Sequence, residues 1–445
     1  QLHTPRQAIP NVLVVGTGEY VSGFVHGRQS TSDKPIGVVS VSLFDLKRRG
    51  KIASVKLCGT NGTKFPAIRQ HFQKYIVDAY KDMDVEFTSF PDDDVEKDPE
   101  AYKKAIQTMV PHRDVCIIFT PDHTHFAIAL AAAQHGLHVL VAKPLVQKLE
   151  HHVELLNVAK EKGILVGVEV HKRWDPIYSD AWAKIKNTDK FGDFSFYQSY
   201  MSQPSSQLDT FSSWAKYSDI SYYLNAHHID YHCWCVSEKP DSEGAVWRPT
   251  LVTASGSSGF AKAKYPDVEY DSITLCTQWS KFSSEGHIIK TGTALYTSSW
   301  IGQRKGDVFS QQRFFYQGTK SEVTVDQAHR GYTHVTESDG YQSINPLFMK
   351  YTPDPQGYFY GQTGYGYRTF ESFLDCVSSV NSKARTVDAI VNTGELATIQ
   401  SHSTILTSAI LHAGSISLDR KCAVKITFDN VQDLKAKPPS LQCTQ

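Results

Sequence analysis

The chain has 445 residues, with 46 Lys+Arg balanced by 46 Asp+Glu, 40% hydrophobic and 21% charged residues. At about 150 residues per domain this length suggests two or three domains. Charge neutrality argues against a dedicated nucleic-acid binder, which needs a basic excess to neutralise phosphates, and the apolar content is too high for a disordered chain. No uninterrupted apolar run is long enough to span a membrane, and the opening QLHTPRQAIP has no apolar signal-peptide core.

In chain order, Asn11–Val15 is a short β-branched run that stops at Gly16, the pattern of a parallel strand buried on both faces. A helix is expected over Gly37–Arg49, a second strand over Ala53–Cys58, a helix over Phe65–Tyr80 and a strand over Val85–Thr88. The acidic run Pro91–Pro99 reads as a solvated loop or a helix start. Val115–Phe119 is another buried strand closed by Thr120-Pro121. Phe126–His135 reads as a helix, His138–Val141 as a strand running into Ala142-Lys143-Pro144, Glu150–Lys162 as a helix and Ile164–Val168 as a strand. Strand–helix alternation of this kind implies a doubly wound parallel sheet, an α/β Rossmann domain over 1–170.

Beyond residue 190 the period changes to two, over Phe194–Tyr200, Leu251–Ser255, Ser272–Trp279, His287–Ser298, Gln312–Gln317 and Ser321–Asp326. This predicts an α+β domain over 171–430 with a large, mostly antiparallel open sheet. Residues 340–367 read as a long loop, Tyr367–Val380 and Glu395–Ala413 as helices, and 431–445 as a poorly ordered polar tail. The eight cysteines form no CxxC pair and are expected to be reduced, mostly buried thiols of a cytoplasmic protein.

A glycine turn directly after a buried strand lets backbone N–H groups and a helix N-terminus face an anion, and the pyrophosphate of a dinucleotide is the natural occupant. Gly16, Thr17, Gly18, Glu19 and Tyr20 are therefore candidate cofactor residues, although Val21 stands where a third glycine is usual. The second strand ends in Cys58-Gly59-Thr60-Asn61 with no carboxylate for a ribose 2′-hydroxyl, and Arg69 follows. Thr60 and Asn61 are candidates for the adenosine side, and NAD(P) is expected with a lean to NADP. Lys143, at the end of a parallel strand, can steady an alkoxide during hydride transfer; a surface lysine off a strand end is the plain alternative. The stretch Tyr222–His232 concentrates imidazoles. His228 and His232 at i, i+4 admit a metal or simple packing, and a third reading is one catalytic His oriented by Asp230.

At this point the sequence resembles the Gfo/Idh/MocA oxidoreductases. Gly16-Thr-Gly18 is similar to the family's dinucleotide turn, and Thr120-Pro121-Asp122-His123-Thr124-His125 to its cofactor-lining TP-x-x-x-H segment. ALAAAQHGLHVLVAKP, ending at Pro144, resembles its most specific signature, with Ala142 replacing the usual Glu before Lys143. Tyr223–Asp230 resembles its D-x-G-x-H-x-x-D segment, with Tyr223 replacing the first acid. The resemblance implies Lys143 and His227 as catalytic residues, assisted by Asp230 and Tyr223. It also implies Thr120, Pro121, His123, His125, Arg173 and Trp174 at the cofactor, and no metal. The activity implied is hydride transfer between NAD(P) and a sugar, polyol or related hydroxy/oxo compound, by a homodimer or homotetramer with no nucleic-acid or membrane partner. Two alternatives belong to the same fold: a redox-assisted glycosidase or lyase without net cofactor turnover, and a non-enzymatic nucleotide-sensing regulator.

Overall fold

The computed structural model describes residues 8–30, 32–303, 306–338 and 340–444. Residues 1–7, most of the opening QLHTPRQAIP, lie outside them. The chain divides into two compact units. One comprises Gln1–Leu145, Glu154–Trp174 and Pro346–Ile399; the other comprises Val146–Val153, Asp175–Asn345 and Gln400–Gln445.

The first unit begins with β1 (Val12–Val15), apolar and buried at every position, as a parallel strand covered on both faces must be. There follow α1 (Glu19–Ser22), a small hairpin of β2 (Phe24–Val25) and β3 (Arg28–Gln29), α2 (Val39–Arg48), β4 (Val55–Cys58), α3 (Phe65–Phe72), β5 (Thr88–Phe90), α4 (Ala101–Gln107), β6 (Val115–Ile118), α5 (His125–Gln134), β7 (His138–Ala142), α6 (Leu149–Lys162), which enters this unit at Glu154, and β8 (Val166–Glu169). The six main strands pair in parallel in the order β5-β4-β1-β6-β7-β8. The order turns about β1, and such a switch point opens a ligand crevice outside the carboxyl ends of the strands. The strand expected over Val85–Thr88 begins at Thr88, because Val85 and Phe87 pack into the core ahead of it.

The first helix is interrupted. The Val38 amide donates to the Tyr20 carbonyl at 2.8 Å, the bond that residue 24 would make in a continuous helix. Thus α2 continues α1, and residues 24–37 are inserted between them. Gly23 and Gly37, at φ +67° and +70°, close the insertion, and a Cβ on Gly23 would lie 2.5 Å from the Gly37 nitrogen.

The second unit is built on α7 (Pro176–Ile185), α8 (Thr188–Phe191), β9 (Phe194–Pro204), α9 (Gln207–Ala215), α10 (Ala226–Val236), β10 (Val246–Ser257), α11 (Phe260–Lys264), β11 (Ser272–Phe282), β12 (Ile288–Gly302), β13 (Gln311–Gly318) and β14 (Glu322–Asp326). A hairpin of β15 (Thr333–Thr336) and β16 (Gly340–Ser343) follows, and β16 opens the stretch 340–367 expected to be loop. The chain then returns to the first unit with α12 (Tyr365–Asn381) and α13 (Val387–Thr393). The Tyr367 hydroxyl donates to the fully buried Asp45 at 2.7 Å, tying α12 to α2. The Val168 amide donates to the Ala397 carbonyl at 2.8 Å and the Ile399 amide to the Val166 carbonyl at 2.9 Å, so this segment covers the exposed edge of β8. That pairing is why the helix expected from Glu395 starts later, as α14 (His402–Arg420) in the second unit. Last come β17 (Val424–Thr427) and β18 (Ser440–Cys443), which pair antiparallel, so the expected polar tail ends in an edge strand.

The second unit's sheet has the order β14-β13-β9-β12-β11-β10-β17-β18, antiparallel except where β9 meets β12. Burial alternates along β11 and the middle of β12, the mark of one covered and one open face, and α10 and α14 pack against the covered one. Among the described residues no helix is long and apolar enough to cross a membrane.

Candidate active site

In the first unit the sequence-predicted cofactor residues converge on the carboxyl edge of the parallel sheet. Gly16 ends β1 with its amide bonded to the Cys58 carbonyl at 2.8 Å. Its φ is +121°, and a Cβ there would lie 2.1 Å from the Phe119 carbonyl oxygen, so only glycine lets β1 and β6 come this close. Gly18 caps α1 at an ordinary φ of −74°, and the place its Cβ would take is open space. The two glycines thus do different work: Gly16 permits strand packing, and Gly18 keeps the helix start bare. The Ser22 hydroxyl donates to the Thr17 carbonyl at 3.0 Å and holds the turn.

Glu19 accepts from the Ser30 hydroxyl of the insertion. Tyr20 stacks on Phe119 with centroids 5.2 Å apart and planes 6° from parallel, and its hydroxyl oxygen is buried with no partner among the described residues. A bare helix start beside a buried phenol without a partner suits a polar, partly planar ligand such as a dinucleotide. After β4, Thr60 is exposed. The Asn61 side chain accepts the Thr63 amide at 2.9 Å, so its oxygen is spent on a cap.

After β6, the Thr124 hydroxyl donates to the Thr120 hydroxyl and the Pro121 carbonyl, both at 2.7 Å. His125 places Nδ1 2.8 Å from the Pro144 carbonyl and Nε2 2.9 Å from that of Thr120. Both ring nitrogens therefore serve the backbone, and His125 pins this loop to the Lys143-Pro144 turn. The neighbouring His123 has its pKa lowered, mainly by burial.

Lys143 follows β7. Burial pushes its pKa down to about 8; the carboxylates of Asp122 and Glu169 oppose the shift and Lys34 adds to it. A lysine held there is poised to exchange a proton near neutral pH. The sequence reading did not single out Glu169, which is 2% exposed. It ends β8 in register with Ala142, and its Oε1 lies 3.1 Å from Nδ1 of His171. A carboxylate closing the apolar run from Ile164 to Val168 was the signal available for it. The 3₁₀ turn His171–Trp174 that follows carries the predicted Arg173 and Trp174, together with Lys172, which is 1% exposed.

In the second unit, His227 and Asp230 lie three residues apart on α10 and so share one face of the helix, both nearly buried. Tyr223 sits on the wide turn Ser221–Asn225 that leads into α10 and stacks on Trp300, centroids 5.3 Å apart and planes 13° from parallel. His228 Nε2 lies 3.0 Å from the Tyr178 hydroxyl. His232 Nδ1 lies 2.7 Å from the Tyr296 hydroxyl, with its ring stacked on Tyr197 at 4.4 Å. Burial pushes the His232 pKa down to about 3, so this imidazole is neutral. These two histidines belong to an aromatic core. Among the described residues no group of three or more His, Cys, Asp or Glu could hold a metal ion.

Residues 11–170 match the family model described as an oxidoreductase family with an NAD-binding Rossmann fold. Over 75 residues the chain is 37% identical to scyllo-inositol 2-dehydrogenase (NAD(+)) of Bacillus subtilis (strain 168), covering 17% of this chain and 22% of that protein. Over 86 residues it is 34% identical to scyllo-inositol 2-dehydrogenase (NADP(+)) IolW of the same organism, covering 19% and 23%. The chain thus spans about a fifth of the length of the curated relatives it matches. Among solved structures, scyllo-inositol dehydrogenase from Lactobacillus casei with bound NAD(H) and scyllo-inositol superposes with a TM-score of 0.55 at 16% identity, over 94% of this chain and 99% of that one, a likeness of fold. Residues 11–170, therefore, match the Gfo/Idh/MocA oxidoreductase family with its NAD-binding Rossmann fold.

Proposed function

We propose that the protein is an NAD(P)-dependent dehydrogenase or reductase acting on a CH–OH group of a sugar, polyol or related hydroxy/oxo compound. The observation that carries this reading lies within the first unit. A bare glycine turn and a lysine of lowered pKa stand on the same carboxyl edge of one parallel sheet, in the segment that matches an NAD-binding family. The inositol dehydrogenase names of the partial relatives support the substrate class.

When bound, the nicotinamide supplies the hydride acceptor or donor. The turn Gly16–Tyr20 and the Thr120–His123 loop would hold the nucleotide, and Arg173 and Trp174 would line its nicotinamide end. Lys143 donates a hydrogen bond to the substrate oxygen and stabilises the negative charge that develops on it. His227 takes the hydroxyl proton in oxidation and returns it in reduction, with Asp230 and Tyr223 fixing the imidazole. Asp122 and Glu169 keep Lys143 from losing its proton altogether.

The test is a panel of polyols and sugars with NAD and NADP, followed at the nicotinamide absorbance. Net reduction of the coenzyme that Lys143→Ala and His227→Ala each cut by about a hundredfold or more supports the reading. Substrate conversion with no net coenzyme change would favour the redox-assisted elimination instead. Normal turnover in Lys143→Ala removes the catalytic assignment.

A further inference from the structure

The strand after which a dinucleotide's ribose is read, β4, carries no acid of its own: it ends in Cys58-Gly59-Thr60-Asn61. The fold brings one from elsewhere. The Gly59 amide bonds the Phe90 carbonyl at 2.8 Å, the Gly62 amide bonds the Val95 carbonyl at 2.8 Å, and the Asp98 amide bonds the Thr60 carbonyl at 2.9 Å. Gly62 is pressed so closely to this loop that a Cβ there would lie 1.9 Å from the Asp92 carbonyl oxygen. Residues 91–98, part of the run Pro91–Pro99 read from sequence as a solvated loop or a helix start, are therefore clamped along the end of β4.

Asp98 is placed most directly. Its Oδ1 accepts the Glu100 amide at 3.0 Å. Among the described residues its Oδ2 has only Lys104 at 3.9 Å, beyond hydrogen-bonding distance, and so retains acceptor capacity. Its charge reaches the last residue of the strand: the Cys58 thiol is pushed up to about 12 by burial and, secondarily, by Asp98. The nearby cations do not offset this. Arg69, which in sequence suited a 2′-phosphate, is engaged by Asp93 and by the Ser89 hydroxyl, and Lys64 is exposed.

We infer that Asp98 reads the adenosine ribose, accepting its 2′-hydroxyl and repelling a 2′-phosphate, so that the protein selects NAD over NADP. This reverses the lean drawn from the residues after β4 alone, and it rests on the nucleotide reading proposed above. The physical basis is the difference between a carboxylate that a hydroxyl can donate to and one that faces a phosphate of the same sign.

The test is calorimetric titration of the purified wild-type protein, Asp98→Asn and Asp98→Ser with NAD and with NADP. Both replacements can still accept the Glu100 amide, and Glu96→Gln serves as a loop-charge control away from the strand end. The wild type is expected to bind NAD at least about tenfold more tightly than NADP, the scale of one such repulsion at a half-exposed site. Both Asp98 variants should shrink the ratio to about threefold or less, mainly by improving NADP binding, while Glu96→Gln keeps it. Equal or tighter NADP binding by the wild type overturns the inference. So does a ratio that either Asp98 variant leaves unchanged while its melting temperature stays at the wild-type value. Binding of neither coenzyme by the folded wild type would instead remove the dinucleotide reading itself.

Discussion

Gly16 and Gly18 are separated by one residue, yet their alanine variants should fail in opposite ways. At Gly16 a methyl group would sit 2.1 Å from the Phe119 carbonyl oxygen, so β1 or β6 must move by about 1 Å to reach tolerable contact. The φ of +121° adds backbone strain of about 1–3 kcal/mol, and the forced displacement adds about 1–3 kcal/mol more. Gly16→Ala is therefore expected to cost about 2–6 kcal/mol, seen as a fall of about 4–24 °C in the transition of the first unit. At Gly18 the φ of −74° suits alanine and its Cβ meets nothing within 4 Å. Gly18→Ala should change stability by less than about 1 kcal/mol, but it places a methyl group where a pyrophosphate would approach the amides, and coenzyme binding should weaken by about tenfold or more. Calorimetric melting paired with coenzyme titration separates the two. A Gly18→Ala protein that melts normally and binds coenzyme at full strength would refute the idea that this helix start is the phosphate cradle.

Other consequences follow from single contacts. The ammonium of Lys143 has its pKa lowered from 10.5 to about 8, which corresponds to a penalty of up to about 3 kcal/mol, fully present below pH 8 and lost as pH rises from there to 10.5. Lys143→Met should accordingly abolish turnover while raising the melting temperature at pH 7, with the gain vanishing toward pH 10.5; a lower melting temperature at pH 7 would mean that attractive partners hold the charge. In the second unit Arg330 forms an ion pair with the fully buried Asp175, which also caps α7, so Arg330→Met should cost about 3–5 kcal/mol in a denaturant titration, and a loss under 1 kcal/mol would contradict that account. The Cys443 thiol lies 3.7 Å from an Arg420 guanidinium nitrogen and its pKa is lowered by a hydrogen bond from Cys422, whereas burial pushes the Cys58 thiol up to about 12. Timed alkylation mapped by mass spectrometry should label Cys443 well before Cys58, and the reverse order would show that these surroundings do not set reactivity.

The parts of the fold that were legible in sequence are those whose residues report their own burial. β1, β6 and β7 are apolar runs ended by glycine, Thr-Pro or Lys-Pro, and period-two patterning marked the strands of the second sheet. What stayed hidden depends on pairing between distant residues. The helix after Gly18 is broken by an insertion whose ends meet through the Val38–Tyr20 hydrogen bond and the close approach of Gly23 to Gly37. Residues 397–399 are extended because β8 offers an open edge, something no local propensity encodes. The site follows the same division. Lys143 and the glycines could be found from strand-end position, whereas Glu169 gains meaning through its register opposite Ala142, and Asp98 through a loop that folds back 38 residues after Thr60.

The central claim is that backbone amides at Gly16–Tyr20 hold a dinucleotide's phosphates and bring its nicotinamide to Lys143. A crystal structure of the protein grown with NADH tests it most directly. The account predicts pyrophosphate oxygens within hydrogen-bonding distance of the amides at the start of α1 and the nicotinamide ring beside the Lys143 ammonium. A coenzyme bound elsewhere, with that turn filled by the protein's own side chains, would contradict it.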